Sequence, residues 1–171
     1  MSTEAPPSRR RNELAALGIT ALVWLVADQV TKALVVGNVP LDGQTQLLGD
    51  LVVIWHVRNV GSAFSLFQFE GSIFLFYIVH VLALGMVAYF HQTFHGRTLW
   101  LQVVLGMLLG GSIGNLADRL RQGYVTDFIS VGVGDTRFPT WNIADAGITV
   151  GITLLVAYLV LLEPRRTAAT P

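Results

Sequence analysis

The chain has 171 residues, of which 53% are hydrophobic and 13% charged, where a soluble domain carries roughly a quarter charged residues. About 91 apolar side chains match four membrane crossings of about 20 residues each and exclude a large soluble head. The lack of cysteine excludes disulfides, thiol nucleophiles and cysteine-bound metals, and eleven basic against eleven acidic residues leave no net charge and no basic surface that would recommend nucleic acid as a partner.

Residues 1–12 (MSTEAPPSRRRN) are polar, Pro-containing and basic, which predicts a flexible tail ahead of a single domain over 13–163. The first membrane helix is predicted over about 14–36, apolar except for Asp28, Gln29, Thr31 and Lys32 near its far end. The run is too long for the apolar core of a cleavable signal peptide and lacks a small-x-small cleavage pattern. Leu51 to Asn59 alternates Val53, Trp55 and Val57 with Ile54, His56 and Arg58, a period of two that predicts a short β element on the membrane surface. Three further apolar runs predict helices over about 71–91, 98–119 and 142–162. Glu163-Pro164 stops the last of them, and 164–171 forms a C-terminal tail. Gly106, Gly110 and Gly114 recur at intervals of four, the spacing of a small face for close helix packing.

Four crossings place both termini on one side. Arg9, Arg10, Arg11, Arg97, Arg165 and Arg166 lie on that side in short flanking segments, so the positive-inside rule makes it cytoplasmic. The acids divide more sharply. Glu4, Glu13 and Glu163 lie on the tail side, whereas Glu70 and every aspartate lie at or beyond the outer ends.

Asp28 and Lys32 are four apart and share a helix face. They read equally as an intrahelical ion pair and as functional groups, because ionisable side chains in a membrane helix are candidates by default. Asn115 and Arg119 repeat that spacing at the end of the third helix. Asp127 sits among apolar neighbours in Val125-Thr-Asp-Phe-Ile129. In Asn142-Ile-Ala-Asp145 the asparagine fits the N-cap of the fourth helix and the aspartate its N3 position, where the helix dipole favours an acid whether or not it catalyses anything. Packing the third and fourth helices side by side would bring Asp127 and Asp145 together. Two like charges that close do not both ionise easily, so one carboxyl keeps its proton while the other activates water, with no metal or cofactor. The helix N-terminus makes Asp145 the more acidic member and Asp127 the proton carrier.

Three patterns point elsewhere and carry less. Gly110-Gly-Ser112-Ile-Gly114 fits a serine nucleophile motif, but inside a helical run rather than at a strand-turn-helix elbow. Gly132-Val-Gly134-Asp135 matches the GxGD signature of presenilin-like proteases but falls in an outer loop, where a turn is expected. His91 and His95 have metal-ligand spacing yet lie on the tail side with no acid nearby and far from the aspartates, and read as interfacial. A rival class is a small polytopic transporter or proton-relay protein, which would need ionisable groups through the depth of the bilayer; the inner halves of helices two to four carry no Asp, Glu, Lys or Arg. A structural subunit packed through its glycine faces would leave Asp127 and Asp145 without a purpose.

The ordered blocks Asp28-Gln-Val-Thr-Lys32, Asn59-Val-Gly61-Ser-Ala-Phe64, Gly110-Gly-Ser-Ile-Gly-Asn115-Leu-Ala-Asp118-Arg119, Val125-Thr-Asp127-Phe and Phe138-Pro-Thr-Trp-Asn142-Ile-Ala-Asp145 resemble the bacterial lipoprotein signal peptidases (signal peptidase II) over about residues 14–162. Trp141, where Phe is commoner in that family, is the one departure. The resemblance implies an all-α membrane protein of four transmembrane helices with a small extracytoplasmic β-cradle and a short surface helix. It implies an aspartyl endopeptidase of the cytoplasmic (inner) membrane with its active site at the outer leaflet, cleaving prolipoproteins before a diacylglyceryl-modified cysteine. By the same resemblance Asp127 and Asp145 are the catalytic pair. Asp28, Lys32, Asn59, Gly61, Asn115, Asp118, Arg119 and Asn142 support the site or bind substrate, membrane lipid is a partner, and globomycin-type cyclic peptides would block it.

Overall fold

The computed structural model describes residues 7–61, 72–95 and 98–162, with side chains in α2 described from residue 77. In chain order these form α1 (Pro7–Asn38), β1 (Gln44–Leu48), β2 (Val52–Asn59), α2 (Ser72–Thr93), α3 (Leu99–Gln122), β3 (Val125–Val133), β4 (Thr136–Arg137) and α4 (Ile143–Leu161). The fold is mostly helical with one small antiparallel sheet in the order β1-β2-β3-β4. Among the described residues, three helices, Ser8–Asn38, Leu99–Gln122 and Ile143–Leu161, are long and apolar enough to cross a membrane.

The expected flexible tail over 1–12 is corrected in its second half, because α1 begins at Pro7. Proline suits the first turn of a helix, where its missing N–H has no partner to lose, and Arg9 reaches Glu13 one turn on (3.6 Å). At about 1.5 Å per residue α1 is about 48 Å long, against a hydrocarbon core of about 30 Å, so its first turns carry Arg9 to Arg11 beyond the apolar run. The expected short surface helix is not an element of the described residues. Phe64, Glu70, Arg97, Glu163 and the tail over 164–171 lie outside them.

Burial is inverted relative to a soluble domain. Ile19, Leu22, Val23, Val26, Val30 and Leu34 of α1 are each at least half exposed, whereas Asp28, Lys32, Asn115 and Asp118 are buried. Such an apolar exterior around a polar interior suits lipid as the solvent. Helices approach closely where the glycines allow it: a Cβ on Gly106 would lie 2.7 Å from the Leu17 carbonyl oxygen of α1, and one on Gly111 would lie 2.5 Å from the Ala144 oxygen of α4. Small faces therefore draw α1 and α4 onto neighbouring faces of α3, where they also touch each other.

The sheet sits where the chain leaves α3. Gly123, in the left-handed conformation (φ 79°), ends that helix with its N–H on the Arg119 carbonyl, and β3 starts two residues later. Phe128 packs with Val35 and Val39 at the end of α1. The expected strand over 51–59 is β2, which pairs with β3 so that Val57 faces Asp127 and Asn59 faces Val125. Of the Gly132–Asp135 segment, Gly132 and Val133 end β3 and pair with β4, and Gly134-Asp135 makes the turn between them, with Gly134 at φ 54°.

Candidate active site

The site is built on a buried cation. Lys32 Nζ lies 2.8 Å from Asp28 Oδ2 and 2.9 Å from Asp118 Oδ2 and donates to Asn115 Oδ1 at 3.0 Å. The four-residue spacing of Asp28 and Lys32 does make an intrahelical ion pair, but one shared with α3. Asp28 Oδ1 also accepts the Ala144 backbone N–H at 2.9 Å, tying α1 to the first turn of α4, and Trp24 one turn away donates to the Ile143 carbonyl at 2.9 Å. Two carboxylates around one ammonium leave a net negative centre. The neutral donors that complete it are Gln29, which reaches both Asp28 Oδ2 and Asp118 Oδ1 at 3.1 Å, and the Thr126 N–H, which reaches Asp118 Oδ2 at 3.3 Å.

Above this base the amides of Asn115 and Asn142 hold the two candidate acids. Asn142 opens α4 with a reciprocal capping box: its side chain accepts the Asp145 N–H at 3.0 Å and its own N–H donates to Asp145 Oδ2 at 3.2 Å. Its Nδ2 donates to Asp127 Oδ1 at 2.6 Å and to Asn115 Oδ1 at 3.2 Å. Asn115 Nδ2 in turn donates to Asp145 Oδ1 at 2.7 Å. From the sheet, Asn59 Nδ2 donates to Asp127 Oδ2 at 2.8 Å. Asn59 is itself held by the N–H of Gly61 at 3.0 Å, where φ of 121° favours glycine. Asn142 thus contacts both aspartates, and all four carboxylate oxygens accept from placed donors. The strand-like pairing of Trp141 with Ile129 (N–H to carbonyl 3.1 Å, returned at 2.7 Å) sets Asn142 beside Asp127.

Asp127 is buried in β3 (2% exposed), not a surface loop acid. Burial, then the charge of Asp145, raises its pKa to about 7, against the hydrogen bonds from Asn59 and Asn142 and the pull of Lys32. Arg119 feels the charges of Asp127, Asp145 and Asp118. One cavity meets both aspartates and a second meets Asp145 alone. The first, of 610 Å³, is lined by Asn59, Asp127, Asp145, Phe138 and Trp141 among others. The other, of 440 Å³, lies between α2, α3 and α4 and reaches Asn115, Arg119 and Asp145.

All ten residues expected at the site are therefore brought to one region from α1, β2 with Gly61 just after it, α3, β3 and α4 with its N-cap Asn142. Sequence reasoning missed the roles of Gln29, Thr126 and Trp24. Trp24 lies one turn before Asp28 on its face, the signal that would have found it. The expectation that the tail-side histidines have no acid nearby is corrected: α1 folds Glu13 against His95 (Oε2 to Nδ1, 2.6 Å), while His91 contacts Gln102 at 2.7 Å. Among the described residues they join no group able to hold a metal.

The signal peptidase II family model matches residues 20–161. A lipoprotein signal peptidase of Symbiobacterium thermophilum is 37% identical over 150 residues, spanning 88% of this chain and 97% of the relative. One from Shouchella clausii is 36% identical, spanning 84% and 91%. A solved structure titled as a bacterial membrane enzyme determined by the in meso method at 1.9 Å superposes with a TM-score of 0.78 at 28% identity, covering 87% of this chain and 95% of that one. Matched over nearly its whole membrane region and across most of each relative's length, the chain belongs to the signal peptidase II family of membrane proteases.

Proposed function

We propose that the chain removes signal peptides from prolipoproteins by cutting on the N-terminal side of a diacylglyceryl-modified cysteine, with Asp127 and Asp145 as an aspartyl pair. The observation that carries this reading is the two carboxyls bridged by Asn142, one of them with its pKa raised to about 7. Asp145, held at the positive end of α4, keeps its charge and takes a proton from a water. Asp127 keeps its proton and gives it to the scissile carbonyl oxygen as the water attacks. The proton on Asp145 then passes to the departing amine as the C–N bond breaks, and transfer from the diol returns Asp127 to its starting state.

The 610 Å³ cavity beside both acids takes the peptide around the scissile bond, and a globomycin-type cyclic peptide would compete there. The domain spans 13–163, with α2, 22 residues long, as a fourth crossing. Both termini are cytoplasmic and the site lies at the outer leaflet of the inner membrane. The arginines at the α1 start and the sheet at the opposite helix ends support that orientation. The test is cleavage of a diacylglyceryl-modified prolipoprotein by purified protein in detergent. Wild type should cut the lipidated form alone, and Asp127→Asn and Asp145→Asn should each abolish turnover. A folded wild type that cuts nothing overturns the reading, and an active Asn variant overturns the pair.

A further inference from the structure

β4 is only two residues long, Thr136–Arg137, too short for ladder hydrogen bonds alone to hold it firmly. The Arg137 side chain fixes it instead. Its guanidinium donates from Nε to Ser130 Oγ at 2.8 Å and from Nη2 to the Ser130 carbonyl at 3.2 Å. Nη1 donates to the backbone oxygen of Asp50 at 3.0 Å and to its Oδ1 at 3.2 Å, while Asp50 Oδ2 accepts the Gly134 N–H at 2.6 Å. Ser130 is fully buried and the Arg137 side chain is 13% exposed, so one planar fork ties β3, β4 and the turn between β1 and β2 together. The Gly132-Val-Gly134-Asp135 pattern serves this clamp. A Cβ on Gly132 would lie 2.5 Å from Arg137 Cα and 2.9 Å from Arg137 Cβ, and Gly134 at φ 54° aims its N–H at Asp50.

Arg137 is followed at once by Phe138, Pro139, Thr140 and Trp141, which form one side of the 610 Å³ cavity beside Asp127 and Asp145. This rim is anchored at its two ends. The Phe138 N–H donates to the Val131 carbonyl at 2.8 Å, and Trp141 pairs with Ile129. From Gly132 opposite Arg137 to Ile129 opposite Trp141, β3 covers three steps and the rim four, so one residue is extra and the rim bows away from the strand as a bulge does. Pro139 has no N–H to add to the ladder, and Phe138 is 66% exposed. The position of the rim therefore depends on its ends, and the clamp fixes the end remote from α4. An ion pair whose acid is half exposed adds little to global stability; what it does here is local.

We propose that Arg137 is a positioning residue for substrate: its clamp on Asp50 and Ser130 holds the Phe138–Trp141 rim where that rim meets the peptide around the scissile bond. This rests on the cleavage reading above and adds a residue that sets substrate affinity through the cavity rim. The donors that hold Asp127 and Asp145 come from Asn59, Asn115 and Asn142, and Arg137 bonds to Asp50 and Ser130. Loosening the rim should therefore weaken binding more than chemistry.

Arg137→Gln should raise KM for a diacylglyceryl-modified prolipoprotein about fivefold or more while kcat stays within about twofold. Arg137→Lys keeps the charge but cannot span Ser130 and Asp50 with a planar fork, so it should recover only part of the affinity. Adding Asp50→Asn to Arg137→Gln should raise KM little further, because both remove one cross-link. A second readout needs no substrate. The chain has no cysteine, so a nitroxide on Thr140→Cys reports the rim alone, and its spectrum should show faster motion when Arg137→Gln is added. An unmoved KM, a loss confined to kcat and Tm, or a label equally still with and without Arg137 overturns the assignment. A folded wild type that cuts no lipidated substrate overturns the cleavage reading, and the role in that reaction falls with it.

Discussion

Asp127→Asn tests the buried acid without reference to any substrate. In the folded protein Asp127 has a pKa raised from the usual 3.8 to about 7, so the folded state holds its proton where the unfolded chain has released it. The stability this contributes is present in full below about pH 4 and is lost as pH rises through about 7. A shift of roughly three units corresponds to about 4 kcal/mol in all, and between pH 5.5 and 8.5 the wild type should lose about 2 kcal/mol that the variant does not. The asparagine also turns an amide N–H₂ toward the donors of Asn59 and Asn142, but that penalty is the same at both pH values and cancels in the difference. The assay is denaturant or thermal unfolding in detergent at pH 5.5, 7 and 8.5, for wild type and variant side by side. The gap should change by about 2 kcal/mol in the variant's favour as pH rises, or about 4–8 °C in Tm for a chain of this size. Parallel pH dependences would refute the claim that Asp127 is held protonated by burial beside Asp145.

Asn142→Ser keeps a capping residue for α4 but removes the donor to Asp127 Oδ1. The alkaline limb of the pH–rate profile should move up by about one unit with little change in Tm, and an unmoved limb would count against Asp127 as the acid. Lys32→Met leaves Asp28 and Asp118 buried without their shared cation. A loss of about 3–5 kcal/mol is expected, and a variant melting with the wild type would show that the ammonium does not hold the site together. Gly110→Ala places a methyl against Ala21 and Trp24 of α1. It should destabilise by about 1–3 kcal/mol with proportionate loss of activity, because α1 carries Asp28 and Lys32; unaltered unfolding would mean that the two helices do not close on that face.

The apolar runs were legible because lipid demands unbroken apolar length, a constraint carried by consecutive residues. β2 was legible from the side-chain alternation of Val53 to Arg58, although its buried residues, Val53 and His56, lie three apart because the ladder with β3 shifts register between Ile54 and Val57. The other strands escaped, each on physical grounds. β1 is exposed at every position and β3 begins with four consecutive buried residues, so neither shows a period of two. The start of α1 escaped because its first turn is polar and rests on a favourable proline and an arginine-glutamate contact rather than on hydrophobicity.

Within the site, spacing alone placed Asp28 with Lys32 and Asn142 with Asp145, since a helix turn and a capping box are local geometry. What local geometry could not supply is which side chains share a partner. Lys32 serves Asp118, 86 positions away in the chain, and Asn142 serves Asp127 only because Trp141 pairs with Ile129. Glu13 finds His95 across the ends of two helices. A buried charge is tolerated only with its partner in place, and packing of glycine faces and strand edges decides which partner arrives.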